Sequence, residues 1–205
     1  MSKEKEFRFE CVRCGKCCTD ENTLVNVTYF DIIRIYKTLN LSIDELIHIL
    51  GFFIFKKEIS EEYLLKLVIS PIKTEKGLAF VGLRKLENYQ CYFYNNDKKE
   101  CLIYNIRPYF CRTFPFSFKP NQNNEDKSGQ NIEIVYTEKG KQYCIGINDK
   151  APLINKQKLI NLGKTVIDVL KKNDNIIKEW NSYIKKNRIE PSVRSFLRYI
   201  LNLNI

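Results

Sequence analysis

The feature that most limits what this chain can be is the octapeptide CVRCGKCC at residues 11–18, which places Cys11, Cys14, Cys17 and Cys18 within eight positions. Four more cysteines follow, Cys91, Cys101, Cys111 and Cys144. At 205 residues the chain can bury a core without covalent staples, so these sulfurs are not needed to rescue a tiny fold. Disulfides are one bland explanation. The opening MSKEKEFRFE lacks the apolar segment of a secretory leader, and no run of about 18 apolar residues occurs. The expectation is therefore a cytosolic (cytoplasmic) chain without a membrane span, in a compartment where thiols stay reduced. Neighbours such as Cys17 and Cys18 also bridge to each other only with strain. Inert buried thiols are the other bland explanation, and they have no reason to arrive as C-x2-C-x2-C-C.

Metal ligation is the remaining reading. Two residues between cysteines let a tight turn aim both thiolates at one centre. C-x2-C-x2-C can fill three corners of a cubane, with a fourth ligand from a distant segment. The same C-x2-C-G at Cys11–Gly15 fits a zinc knuckle. Iron–sulfur and zinc both stay open here, with a 4Fe-4S cluster favoured by the triple spacing and the all-cysteine ligand set. The single histidine, His48, falls beside the apolar stripe of a helix and reads as structural, which leaves a thiolate-only site. Adjacent side chains diverge, so Cys17 and Cys18 can serve two coordination spheres. Eight thiolates can then fill two four-cysteine sites, or one site with accessory thiols. Arg107 and Arg112 flank Cys111. Their charges are expected to favour thiolate over thiol and to offset cluster charge, inside an apolar shell of Tyr104, Tyr109, Phe110, Phe114 and Phe116.

Local patterns give an α+β fold class: a small cysteine-rich, metal-organised core with a few short strands and helices, followed by an all-helical C-terminal segment. Thr28 with Asp31, and Ser42 with Glu45, read as capping boxes that open two helices, with Gly51 as the cap ending the second. Phe7 and Phe9 anchor the entry to a cysteine loop over 11–23. YLLKLVI (63–69), GLAFVG and NIEIVYT read as strands, CYFY and CLIY as arms of a hairpin from Cys91 to Tyr104, and 119–131 as a polar loop. Asn105 and Pro108 suit one short helical turn before Cys111. After about Pro152 the period is helical, with one helix through Leu159–Leu170, a second through Ile176–Ile184 and a third opening at Pro191-Ser192. The division expected is 1–150 as the cysteine-rich metal-binding domain and 151–205 as a helical extension packing on it. The net charge of +10 comes from lysines interspersed with acids, which suits a solvated basic surface better than a nucleic-acid footprint.

Taken as ordered blocks, F-x-C-x2-C-G-x-C-C at Phe9–Cys18, C-x-F at Cys91–Phe93, C-L-I-Y-x2-R-P at Cys101–Pro108, C-R-T-F-P-F at Cys111–Phe116 and C-I-G at Cys144–Gly146 resemble the YkgJ-like CxxCxxCC family of zinc- or iron-chelating domains. Thr28 and Asp31 fall where that family has a T-x2-D helix start. The resemblance spans about residues 7–147. It implies cysteine-bound metal with all eight cysteines as ligands, and no particular reaction. The leading expectation is a metal-binding protein with a redox, metal-handling or structural role, whose contacts are metal ions and a protein or redox partner. A distant similarity to the cysteine cluster of flagellin lysine N-methylases implies an alternative, cluster-dependent protein lysine methylation with S-adenosylmethionine. Against it, the chain shows no glycine-rich strand–loop–helix to hold that cofactor. A third reading is a metal-stapled nucleic-acid or protein-binding module that uses Lys171, Lys172, Lys185, Lys186 and Arg188. Whether the chain is an enzyme is left open by its sequence.

Overall fold

Reciprocal side-chain caps start the first two long helices. Thr28 Oγ1 accepts from the Asp31 amide at 3.2 Å while Asp31 Oδ2 accepts from the Thr28 amide at 3.0 Å, which opens α2 (Tyr29–Thr38). Ser42 and Glu45 do the same for α3 (Ile43–Ile49). In this computed structural model, which describes residues 6–57, 59–65, 67–120 and 132–203, α3 runs straight into a strand, β1 (Leu50–Ile54). Gly51 therefore does not end the helix as the sequence suggests. Leu50 is already extended, at φ −95° and ψ 148°, so no left-handed residue is needed.

β1 pairs antiparallel with β3 (Gly77–Leu83), which pairs in turn with β2 (Ile72–Thr74), giving a three-stranded sheet in the order β1-β3-β2. The segment before α2 lies on this sheet, with the Val27 amide donating to the Val81 carbonyl and the Leu83 amide to the Val25 carbonyl. Gly82 permits that approach, because a Cβ there would stand 2.7 Å from Leu24 Cδ1 and 2.8 Å from the Val25 carbonyl oxygen. The expected strand over 63–69 is not a strand. A helical turn, α4 (Glu61–Leu65), occupies its start, and pairing begins only at Ile72. A short apolar run carries no period that separates strand from helix. Here Ser60 Oγ accepts from the Tyr63 amide at 3.3 Å, capping a turn.

The Cys91–Tyr104 hairpin is real but short. β4 (Tyr94–Asn95) and β5 (Glu100–Cys101) pair only as Tyr94↔Cys101 and Asn95↔Glu100. A 3₁₀ turn over Tyr104–Ile106 leads to α5 (Tyr109–Thr113), with Pro108 at its N-cap. β6 (Phe116–Pro120) then pairs with β7 (Ile132–Tyr136); residues 121–131 of the expected polar loop lie outside the described residues. After α6 (Glu138–Tyr143) come α7 (Lys156–Lys185) and α8 (Val193–Leu201), the latter capped by Ser192 Oγ on the Ser195 amide.

α7 replaces the two helices expected from Leu159 to Ile184. The polar stretch KKNDN looks like a break, yet it holds no glycine or proline, and Asn173 turns inward to accept the Tyr29 amide at 2.9 Å. One helix thus crosses all three apolar clusters. Leu159 and Ile160 meet Phe7 and Phe116; Val166 and Val169 meet Tyr109; Ile177 and Trp180 join the main core of α2, α3, α8 and the three-stranded sheet. The architecture is α+β with a long C-terminal helix. Among the described residues no helix is long and apolar enough to cross a membrane.

Candidate metal centre

Each cysteine-bearing segment is tied down by contacts outside the cysteines. The entry is held by aromatics: Phe7 sets its ring edge-on to Phe116 and Tyr136, and Phe9 packs edge-on to Phe116. The Glu10 amide donates to the Gly146 carbonyl at 3.1 Å, which brings Cys11 toward Cys144. Gly15, at φ +74°, turns the chain into α1 (Lys16–Thr19), a single turn inside the expected loop. The left-handed conformation favours glycine, and a Cβ at this position would lie 2.1 Å from Tyr94 Oη. The Cys18 carbonyl accepts the Cys91 amide at 2.8 Å, so Cys91 is set directly against the Cys17-Cys18 pair. The hairpin returns Cys101 to the same place.

Cys111 is placed by a buried carboxylate. Asp31, at 0% exposure, accepts the Tyr109 amide at the start of α5 at 3.1 Å. Arg34 bridges from Asp31, at 2.9 Å, to the Arg107 carbonyl, at 2.6 Å. Burial pushes the Asp31 carboxyl up, while the Thr28 and Tyr109 donors and Arg34 pull it the other way. A second tie fixes the far end of the motif. Lys139 Nζ on α6 donates to Asp20 Oδ2 at 2.9 Å, the Asn22 carbonyl at 2.7 Å and Thr23 Oγ1 at 2.8 Å. Lys85 Nζ donates to the Asp20 carbonyl from the other side. α6 ends on Cys144 as its C-cap.

The result is one cavity of about 230 Å³ whose wall includes all eight cysteines. Aromatic and aliphatic side chains, among them Phe9, Tyr94, Ile103, Phe110 and Phe114, make up much of the rest. Cys11, Cys14 and Cys17 reach solvent, while Cys91 is buried. Among the described residues no three Cys, His, Asp or Glu side chains already converge tightly enough to grip an ion; the sulfurs surround a space. Thiols dominate the donors around that space; among the described residues Glu10 is the one carboxylate in the wall, and His48 lies outside it, against Tyr92. Such a set fits zinc or iron–sulfur and does not suit hard cations that need oxygen ligands.

Electrostatics divide the thiols. Cys17 is lowered to about 7, first by a hydrogen bond from Cys18, with Arg107 adding to the effect. Cys18 is raised by the same bond and by burial. Burial pushes Cys91 up to about 11 and also raises Cys101, Cys111 and Cys144. Arg107 opposes that rise at Cys101 and Cys111.

Of the two arginines singled out in the sequence, Arg107 lines the cavity, with its guanidinium 3.7 Å from the Tyr104 ring centre. Arg112 is not in the wall; it lies over Tyr109, 5.2 Å from the ring centre. Sequence reasoning missed Arg13, which lines the cavity and stacks 4.2 Å from the same Tyr104 centre. It also missed Lys139, Lys85 and Asp20, which no local pattern marks.

Residues 10–145 match the profile of the CxxCxxCC family, described as "Putative zinc- or iron-chelating domain". The chain belongs to the CxxCxxCC family. The matched span begins one residue before Cys11 and ends one residue after Cys144, so it takes in every cysteine that lines the cavity. As a CxxCxxCC protein it carries the zinc- or iron-chelating domain, and a metal cofactor is supported on that ground. No solved structure matches the chain.

Proposed function

We propose that this CxxCxxCC protein holds one or two iron–sulfur clusters through Cys11, Cys14, Cys17, Cys18, Cys91, Cys101, Cys111 and Cys144, and serves in electron transfer or metal handling. The observation that carries the reading is that eight cysteines, spread from residue 11 to residue 144, all line one cavity. Iron–sulfur is favoured over zinc by the cysteine-only ligand set and by the triple C-x2-C-x2-C spacing, which can fill three corners of a cubane; eight sulfurs suffice for two four-cysteine sites of either kind. A bound cluster would supply one-electron chemistry. The chain's own residues supply the thiolates, the Arg107 charge beside Cys17, Cys101 and Cys111, and an apolar wall that limits water. We read 1–150 as the metal-binding unit and the helices of 151–205 as the extension that supports it.

Because burial raises most of these thiols, loading must displace their protons. Affinity should then rise with pH, and protons should be released on loading. The deciding experiment is anoxic purification followed by iron, zinc and acid-labile sulfide analysis with visible spectroscopy. A brown protein with iron and sulfide in equal amounts is expected; a colourless one with stoichiometric zinc overturns the iron–sulfur assignment. Cys14→Ala and Cys111→Ala should each lower the metal content, and full retention would exclude that cysteine as an essential ligand.

A further inference from the structure

The eight cysteines do not stand alike against the rest of the molecule. The main apolar core takes in Cys91 and packs against Cys18 and Cys101, and Phe110, the neighbour of Cys111, packs there as well. Among the described residues, none of Cys11, Cys14, Cys17 and Cys144 belongs to an apolar cluster. Exposure divides the thiols at the same place: Cys11, Cys14 and Cys17 are exposed, whereas Cys18, next to Cys17, is half-buried. Cys17 and Cys18 are successive residues of α1, so their side chains leave the helix about 100° apart. The backbone draws each group together by itself. The Cys91 amide donates to the Cys18 carbonyl at 2.8 Å, the Tyr94 amide to the Cys91 carbonyl at 2.9 Å, and Tyr94 pairs with Cys101 across the hairpin. On the other side the Glu10 amide donates to the Gly146 carbonyl at 3.1 Å, and a Cβ on Gly146 would stand 2.2 Å from the Glu10 carbonyl oxygen. Thiol charges follow the same grouping. Cys111 is raised by burial and then by Cys91, Cys17 and Cys101, and Cys144 by burial and then by Cys14 and Cys17. Influence across the boundary runs through Cys17, and from Cys11 to Cys101.

We propose that the eight cysteines form two four-thiol metal sites that part between Cys17 and Cys18: an inner site of Cys18, Cys91, Cys101 and Cys111 whose metal is retained, and an outer site of Cys11, Cys14, Cys17 and Cys144 whose metal exchanges with external thiols. The assignment rests on the reading that these cysteines bind metal, and it holds for zinc and for iron–sulfur alike, since four thiolates complete either kind of centre. Access sets the difference in exchange. An incoming thiol gives up its proton and replaces one cysteine on the metal; the freed cysteine takes that proton up, and no electron moves. At the outer site Cys11, Cys14 and Cys17 are open to that approach. At the inner site Cys91 is sealed in the core and its three companions are half-buried.

The test uses the full-length protein purified without oxygen, with metal and sulfide per chain measured first. It is held in glutathione and EDTA, sampled over time, and each sample is treated with N-ethylmaleimide before mass-spectrometric mapping. Metal should leave in two phases, one site in each, the second at least about tenfold slower because exchange at sulfur follows access. In the first phase Cys11, Cys14, Cys17 and Cys144 should take up the label while Cys18, Cys91, Cys101 and Cys111 do not. Cys18 and Cys144 are both half-buried, so label on Cys144 without Cys18 reads shared ligation and not exposure. Cys14→Ala should remove the fast phase and keep the slow one, and Cys144→Ala, outside the octapeptide, should do the same. Metal for a single centre, loss in one phase, Cys17 and Cys18 labelled together, or both variants emptying both sites overturns the division and leaves the metal-binding reading standing. A chain that holds no metal overturns both.

Discussion

Around Trp180 the chain encloses itself. Trp180, Leu197, Ile200, Ile35 and Leu46 are all fully shielded and come from α7, α8, α2 and α3. Around the cysteines the regular elements are a four-residue turn, two two-residue strands, a five-residue helix and the end of a six-residue helix. Elements that short do not hold their own shape in water. They are held along one side by Phe93, Tyr94 and Ile103, which pack into the main core, and by polar ties, Asp31 to α5 and Lys139 to the Asp20–Thr23 turn. The core region is closed by burial. The cysteine region leans on it, and among the described residues its sulfurs surround a space without converging.

That contrast can be broken most directly by removing metal. Binding free energies at thiolate sites run to about 10 kcal/mol or more, and here they should be felt locally. Chelation should strip amide protection from 11–24, 91–113 and 137–146, while α2, α3, β1, β3, α7 and α8 keep theirs. Hydrogen exchange with mass spectrometry reads this, and uniform loss of protection would show that the two regions are not separate. The converse change is Trp180→Ala. It removes a side chain at 0% exposure whose Nε1 also donates to the Lys73 carbonyl at 3.0 Å, and should cost about 3–5 kcal/mol in urea unfolding. Metal per chain, measured below the transition, should not change.

Asp31 joins the two regions, so Asp31→Asn sharpens the comparison. It leaves Arg34 without its carboxylate and weakens the tie to the Tyr109 amide. About 2 kcal/mol of stability should go, and metal content should fall with it; a variant that loses stability at full metal content would confine Asp31 to the apolar side. The smallest effect belongs to Lys139→Ala. Thr23 and Lys139 hold Asp20 below its usual 3.8. A lowered acid gives stability that is present above its unfolded value and lost as pH falls through the folded one. The difference between wild type and Lys139→Ala should therefore be at most about 1 kcal/mol near neutrality, since the pair is partly exposed, and should vanish below the ordinary aspartate range in acid-unfolding curves.

Much of the fold that was legible in the sequence is local chemistry. Thr28 with Asp31, Ser42 with Glu45, and Ser192 announce helix starts because the capping partner lies three residues away. What was illegible depends on distant partners. KKNDN reads as a break until Asn173 is seen to accept from Tyr29, 144 residues earlier. Gly51 reads as a cap until β3 is seen beside it. The same division runs through the site. Cysteine spacing displays the candidate ligands, but Lys139 reaches Asp20 across 119 residues. Arg13 sits between Cys11 and Cys14, where nothing in the local sequence shows that it will stack on Tyr104.

Trp180 has a use beyond packing. It is the chain's one tryptophan, it is sealed in the main apolar core, and it is absent from the wall of the cysteine cavity. The molecule therefore carries a built-in optical reporter for one of its two regions. A shift in its emission maximum signals that the core has opened to water, while the thiol-lined side can loosen without shifting it.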